Sequence, residues 1–214
     1  MLSFKPDKEK VEKIIKELER LYPDAKTALE FSNPFELLIA AILSAQTTDK
    51  QVNKITKHLF KKYSTPEDFA ALKPEELEKE IKGCGLYRNK SKNIIETSRI
   101  LVEKYGGKVP QDFESLVELP GVGRKTANVV LSSGFGKDAI AVDTHVFRVA
   151  NRLGLAKSST PLGTERDLQK AVDKKLWSRL HHWLIHHGRK VCTARNPKCS
   201  SCTLGKWCSH YQKK

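Results

Sequence analysis

Apolar side chains return along this chain at intervals of three and four residues almost without interruption. Val11, Ile14, Ile15, Leu18 and Leu21 form one such stripe, and Val52, Ile55, Leu59 and Phe60 form another. At 3.6 residues per turn, each set falls on one face of an α-helix. Strict alternation of apolar and polar positions, the mark of a half-buried strand, is nearly absent. The helix start signals agree. Asn33-Pro34 followed by Glu36, and Thr65-Pro66 followed by Asp68, each set a capping side chain ahead of a proline suited to a first helical turn. Glycine-containing breaks at 83–85, 106–107, 121–123, 134–136 and 154 divide the rest into helices of about ten to eighteen residues. The predicted fold class is all-α. No long linker, low-complexity tract or internal repeat marks a domain boundary.

The 214 residues suffice for one large domain or two small ones with proper cores. No stretch approaches the roughly 18 uninterrupted apolar residues of a membrane span, and the opening MLSFKPDKEK lacks a signal peptide's apolar centre. A soluble, cytoplasmic protein with no membrane partner is expected. The formal net charge is +14, from 39 Lys and Arg against 25 Asp and Glu. Clustered cations gain affinity for a polyanion by releasing counterions from its phosphates, but a solvated Lys/Glu-rich surface gives a similar composition. Charge alone therefore suggests nucleic acid without establishing it.

Leu119-Pro120-Gly121-Val122-Gly123-Arg124-Lys125-Thr126-Ala127 lies between predicted helices at about 112–119 and 124–133 and reads as a helix–hairpin–helix. Gly121 and Gly123 are expected to adopt backbone conformations closed to other residues and to permit close approach of a partner. The amides at the start of the second helix, with Arg124 beside them, suit an anion such as a DNA phosphate. A tight turn between packed helices is the plainer alternative. Lys125 opens the second helix, and Asp143 stands in Ala141-Val142-Asp143-Thr144-His145-Val146. An ordinary ammonium is neutral in only roughly one molecule in 2,500 at pH 7, so an amine nucleophile needs its pKa lowered. A helix N-terminus and Arg124 push that way, whereas a close carboxylate opposes them. On spacing alone, Lys125 reads more simply as a second phosphate clamp and Asp143 as the N-cap of the next helix.

Four of the five cysteines crowd into the last tenth of the chain as Cys192-x6-Cys199-x2-Cys202-x5-Cys208. Nothing directs the chain to an oxidising compartment, so a metal or cluster site is a better reading than disulfides. Four thiolates hold either zinc or an iron–sulfur cluster. Structural zinc usually shows two short Cys pairs, and here only Cys199 and Cys202 make one, which favours the cluster. Arg189, Lys190, Arg195 and Lys198 place cations around the same loop, where they could meet phosphates. Cys84 reads as a small buried residue. His182 and His186, one turn apart, have a metal-binding spacing but read as core or surface positions of a helix.

The segments Pro34 to Ala40, Leu43 to Asp49, Gly85-Leu86-Tyr87, Leu119 to Ala127, Val142 to His145 and the four cysteines, in this order, resemble the endonuclease III family from about residue 30 onward. The resemblance implies a six-helix domain over 27–137 containing the hairpin, and a discontinuous domain of 1–26 with 138–214 carrying a [4Fe–4S] cluster on Cys192, Cys199, Cys202 and Cys208. It implies a monomeric, bifunctional DNA glycosylase and abasic-site lyase that removes oxidised pyrimidines from damaged double-stranded DNA. Lys125 would be the nucleophile and Asp143 the carboxylate that assists it. Gln46 and Leu86 would fill the stack vacated by a flipped nucleotide, although alone Leu86 reads as core and Gln46 as a solvated helix end. Gly121, Gly123, Arg124, His145, Arg195 and Lys198 would be further DNA contacts. Adenine glycosylases of the same fold carry a glutamate near the position of Ala41 and lack the lysine. One departure stands before the hairpin, where the family's acidic residue comes one position earlier than Glu118 and Val117 is found instead. The first 25 residues match loosely and the Lys-rich 157–175 stretch is not diagnostic. An abasic-site lyase without base excision, and a non-catalytic helix–hairpin–helix DNA-binding protein, are the alternative functions.

Overall fold

The computed structural model describes residues 4–212, and Met1–Ser3 of the opening stretch lie outside it. Eleven α-helices follow in order among the described residues: α1 (Lys8–Leu21), α2 (Pro34–Leu43), α3 (Asp49–Lys62), α4 (Pro66–Ala70), α5 (Pro74–Ile81), α6 (Tyr87–Tyr105), α7 (Phe113–Glu118), α8 (Arg124–Val129), α9 (Thr144–Leu153), α10 (Pro161–Ala171) and α11 (Trp177–Lys190). No strand occurs among these residues, so the fold is all-α as the periodicity predicts. None of the helices is long and apolar enough to cross a membrane. The chain divides into two compact units, Met1–Lys26 with Lys137–Lys214, and Thr27–Gly136.

The Thr27–Gly136 unit is organised around α2. Its sequence PFELLIAAIL has no polar face, and every residue from Phe35 to Leu43 is buried. A helix that is apolar all round must be covered all round, and α3, α6 and α8 pack on it. Its start follows the cap read from sequence. Asn33 Oδ1 accepts from the Glu36 amide at 2.9 Å, and Glu36 in turn accepts from the Ser32 amide at 2.6 Å. At α4, Thr65 and Asp68 form the reciprocal capping box, with both the Ser64 and Thr65 amides donating to Asp68 Oδ2. After α8 the helix widens into a π turn over Val130–Gly134. Gly134 lies there against α2, since a Cβ would come within 3.1 Å of Leu37.

In the other unit the stripe Val11, Ile14, Ile15 and Leu18 of α1 packs into one core with Val146, Val149 and Leu153 of α9 and Leu180, Trp183 and Leu184 of α11. Each fully buried aliphatic side chain contributes about 1.5–3 kcal/mol relative to exposure. The same core reaches Leu204 and Cys208 in the C-terminal loop. Helix α11 also buries three of its histidines, His181, His182 and His187. Burial, with His186 nearby, holds the His182 imidazole at about 4, below its ordinary 6.5, and burial alone holds His187 at about 4.

The unfolded chain therefore binds more protons than the folded one between about pH 6.5 and 4, and stability must fall as pH drops through that window. Urea unfolding is expected to show a slope of up to about 1.4 kcal/mol per pH unit for each of the two histidines. His182→Gln should remove about half of it. An unchanged slope in that variant would show that His182 is not held neutral by the fold.

Candidate DNA interface and cysteine centre

The predicted hairpin is present between α7 and α8. Asp112 caps α7 through the Ser115 amide at 2.8 Å, and the Val122 amide closes the turn onto the Leu119 carbonyl at 3.0 Å. Leu119 and Val122 are buried and anchor the turn, while Thr97 of α6 donates to the Pro120 carbonyl at 2.9 Å from behind. Of the two glycines, Gly121 has the backbone that the sequence predicts and Gly123 does not. Gly121 is left-handed at φ +78°, and a Cβ there would stand 2.9 Å from Asn93 Nδ2. Gly123 is ordinary extended backbone, φ −87° and ψ 174°, which any residue adopts. What Gly123 supplies is open space, since no atom lies within 4 Å of a Cβ built on it. As N-cap of α8 it also brings no side-chain acceptor, unlike the Asp, Asn and Thr caps elsewhere. The first amides of α8 lack acceptors within the helix by geometry, and the cap that precedes them brings no side chain of its own. Arg124 stacks over the Phe113 ring at 4.6 Å, and Arg124 and Lys125 are both exposed beside this turn. Val117 and Glu118, at the end of α7, are exposed as well.

Asp143 takes the capping position that its spacing suggested. Its Oδ1 accepts from the Val146 amide at 2.8 Å, which fixes the half-buried carboxylate at the start of α9. His145 lies one residue into that helix. Its Nδ1 stands 3.2 Å from Arg148 Nη2, and because a guanidinium only donates, Nδ1 is the acceptor. Burial lowers the His145 pKa; the Asp143 carboxylate opposes this, while Arg148 and Arg189 add to it.

Gln46 and Leu86 occur in two loops of the Thr27–Gly136 unit and share an unusual property. Both are left-handed, at φ +54° and +57°, and Asn196 is the one other non-glycine residue of that kind among those described. For an L-residue this conformation costs roughly 1–2 kcal/mol. Neither side chain is core. Gln46 is exposed, and Leu86 is 55% exposed, the most of any large apolar residue among those described. The loops touch where Gly85 meets Gln46, since a Cβ on Gly85 would stand 3.1 Å from the Gln46 carbonyl oxygen. Cys84, just before, is buried as expected, and burial pushes its thiol up.

Cys192, Cys199, Cys202 and Cys208 line one small pocket in the C-terminal part of the other unit, together with His187 and Lys198. No three His, Cys, Asp or Glu side chains among the described residues converge tightly enough to hold a single metal ion. Four cysteines around one pocket are a donor set that either a zinc ion or an iron–sulfur cluster takes. Burial pushes the Cys202 thiol up, and the other three cysteines add to that rise. Arginines that the sequence did not single out hold this loop to α9. Arg152 donates to the Thr193 carbonyl at 2.8 Å and the Ala194 carbonyl at 3.2 Å, and reaches Cys192 Sγ at 3.5 Å. Arg148 donates to the carbonyls of Cys192 and Gly188, each at 3.0 Å. His187 also escaped sequence reasoning. Its Nδ1 is 3.0 Å from the Tyr22 hydroxyl and its Nε2 is 3.7 Å from Cys202 Sγ. The repeat of arginine at one helical turn in α9 was the available signal. Arg195 and Lys198 are exposed on the loop, whereas His186 is half-buried and joins no metal-binding group.

Comparison with known proteins agrees with this geometry. The profile of HhH-GPD, described as a superfamily of base excision DNA repair proteins, matches residues 39–174. Endonuclease III of Rickettsia conorii is 51% identical over 201 residues, 94% of this chain and 96% of that relative. Endonuclease III of Bacillus subtilis is 52% identical over 195 residues, 91% and 89% of the two chains. A solved structure of a trapped endonuclease III–DNA covalent intermediate, an estranged-adenine complex, matches with a TM-score of 0.91 at 49% identity over 100% of this chain and 99% of that one. The fold and hairpin thus define a base excision DNA repair protein of the HhH-GPD superfamily. Within it the chain belongs to the endonuclease III family, whose class is DNA glycosylase and abasic-site lyase.

The two hairpin glycines should separate experimentally. Gly121→Ala puts a Cβ into left-handed backbone and against Asn93, and should cost about 1–3 kcal/mol in urea unfolding. Gly123→Ala fits both backbone and space, and should stay within about 0.5 kcal/mol of the parent. Equal losses in both variants would refute this division.

Proposed function

We propose that the protein removes oxidised pyrimidines from double-stranded DNA through an amine adduct on Lys125 and then cleaves the strand. The observation that carries this reading is the exposed Lys125 beside a hairpin whose Gly123 adds no side chain at the start of α8, in a chain of this family. A phosphate at that turn would meet backbone amides and Arg124. The lone pair of the Lys125 amine would attack C1′ of the damaged nucleoside while the N-glycosidic bond breaks and the base leaves with a proton. Loss of the ring C–O bond would give an iminium. Removal of a C2′ proton would then expel the 3′ phosphate by β-elimination. Asp143 would take up the proton lost by the attacking amine and favour positive charge developing on the sugar. Its bond to the Val146 amide supports a fixed carboxylate for that role. The Thr27–Gly136 unit is then the hairpin domain, and the unit of Met1–Lys26 with Lys137–Lys214 is the cluster domain. His145, Arg195 and Lys198 would add DNA contacts, the latter two to the backbone without reading sequence.

The four cysteines fit a [4Fe–4S] cluster. Iron would supply the positive charge that holds four cysteine ligands as thiolates. Arg148, Arg152 and His187 would hold the loop and its sulfurs in place around it.

Borohydride reduction tests the covalent reading. The parent should be trapped on duplexes containing thymine glycol or an abasic site, whereas Lys125→Gln should still bind them and yield no adduct. An adduct persisting in that variant would assign the nucleophile to another amine, and binding without trapping by the parent would leave only a DNA-binding role. For the cofactor, protein purified without oxygen should be yellow-brown with about four irons per chain. A colourless protein with one stoichiometric zinc would overturn the cluster.

A further inference from the structure

Lys90 is a lysine in an unexpected place. It sits in the first turn of α6 with only 4% of its surface exposed, whereas lysine is almost never fully buried unless paired. Its partners here are uncharged. Nζ donates to the Leu43 carbonyl at 2.8 Å, the Ala45 carbonyl at 2.6 Å and Thr47 Oγ1 at 3.1 Å, which satisfies all three N–H groups of an ammonium. A position that only filled space would suit Met or Leu at no cost in desolvation. The acceptors explain the charge, because they lie where α2 ends and the chain turns through Gln46. The C-terminal end of a helix favours a cation.

The same lysine is tied to the second loop. Its backbone amide donates to the Leu86 carbonyl at 3.1 Å, and Thr47 Oγ1, which accepts from Nζ, also accepts from the Gly85 amide at 3.2 Å. Lys90, Thr47, Gly85 and Leu86 thus join the loop after α2 to the start of α6. Gln46 and Leu86, the two left-handed non-glycine residues of the unit, stand on either side of that junction with their side chains exposed.

We propose that Lys90 is a positioning residue for nucleotide extrusion, whose ammonium holds the Gln46 and Leu86 loops together in their left-handed conformations so that both side chains are preset to enter the base stack. The inference rests on the reading of Gln46 and Leu86 as stack-filling residues. Such preorganisation lowers the cost of ordering two loops at the moment DNA is opened. An abasic site has already lost one base from the stack, so its cleavage depends less on the fillers.

The test compares single-turnover excision of thymine glycol with strand cleavage at a preformed abasic site. Gln46→Ala with Leu86→Ala, tested first, should reduce excision more than cleavage; equal loss of both steps would refute the stack-filling reading and the proposal with it. Lys90→Met keeps the length of the side chain and removes its donors; it should reduce excision about tenfold and cleavage less than about threefold. Thr47→Val, which keeps the shape and removes the bridging hydroxyl, should shift the ratio in the same direction and serves if Lys90→Met does not fold. Leu77→Ala, a core truncation in α5, is the control for lost stability and should leave the ratio unchanged. In the Gln46→Ala, Leu86→Ala background, Lys90→Met or Thr47→Val should cost less than about twofold further in excision, because both act through those side chains. A full loss in that background, or a ratio equal to that of Leu77→Ala, would refute the role of Lys90 while leaving the stack-filling residues in place.

Discussion

Helix α2 offers no face to water, and the Thr27–Gly136 unit is arranged by the need to cover it. With Phe35 to Leu43 all buried, its polar backbone emerges only at the two ends, and each end must find partners. Asn33 and Glu36 meet that need at the start, and Ser44 and the Lys90 ammonium at the finish. The hairpin's second helix and its π turn rest on the same helix, close enough that a Cβ at position 134 would press on Leu37. The exposed, chemically equipped segments are therefore mounted on the least yielding part of the unit, which suits groups that must be placed accurately.

In the cysteine loop, apolar contacts through Leu204 and Trp207 are joined by a second kind of anchorage. The loop backbone is held from α9 by Arg148 and Arg152, each donating to carbonyls of residues around Cys192. Hydrogen bonds of this charge-assisted kind contribute about 1.5–3 kcal/mol apiece. They leave four cysteines lining one pocket. In both units a buried or half-buried cation donates to loop carbonyls that the helices leave unpaired.

Local features were readable from the amino-acid order because the groups involved are neighbours in the chain. Caps at Asn33, Thr65 and Asp143 bond amides three residues on, and apolar stripes such as Val11 to Leu18 need only the helical period. The hairpin was visible as a motif, and the cysteine spacing was already suggestive of a cluster. The motif did not reveal that its glycines work differently, since a sequence gives residue identity but not φ. Gly121 is demanded by backbone and by Asn93, 28 positions before it, while Gly123 is demanded by nothing inside the molecule.

What the tertiary structure alone decided involves partners far apart in the chain. Lys90 looks like any solvated lysine until it meets the Leu43 carbonyl 47 residues away, and Arg152 until it meets Thr193, 41 residues away. Leu86 looks like core until the fold leaves it exposed in a left-handed turn. The sequence by itself determined the helices, their caps, the hairpin and the cysteine array, because short-range sterics and periodicity settle those. Which cations are buried, which apolar side chain is left in solvent and which loops are joined were decided by packing, because those depend on desolvation and hydrogen bonding among residues that only the folded chain brings together.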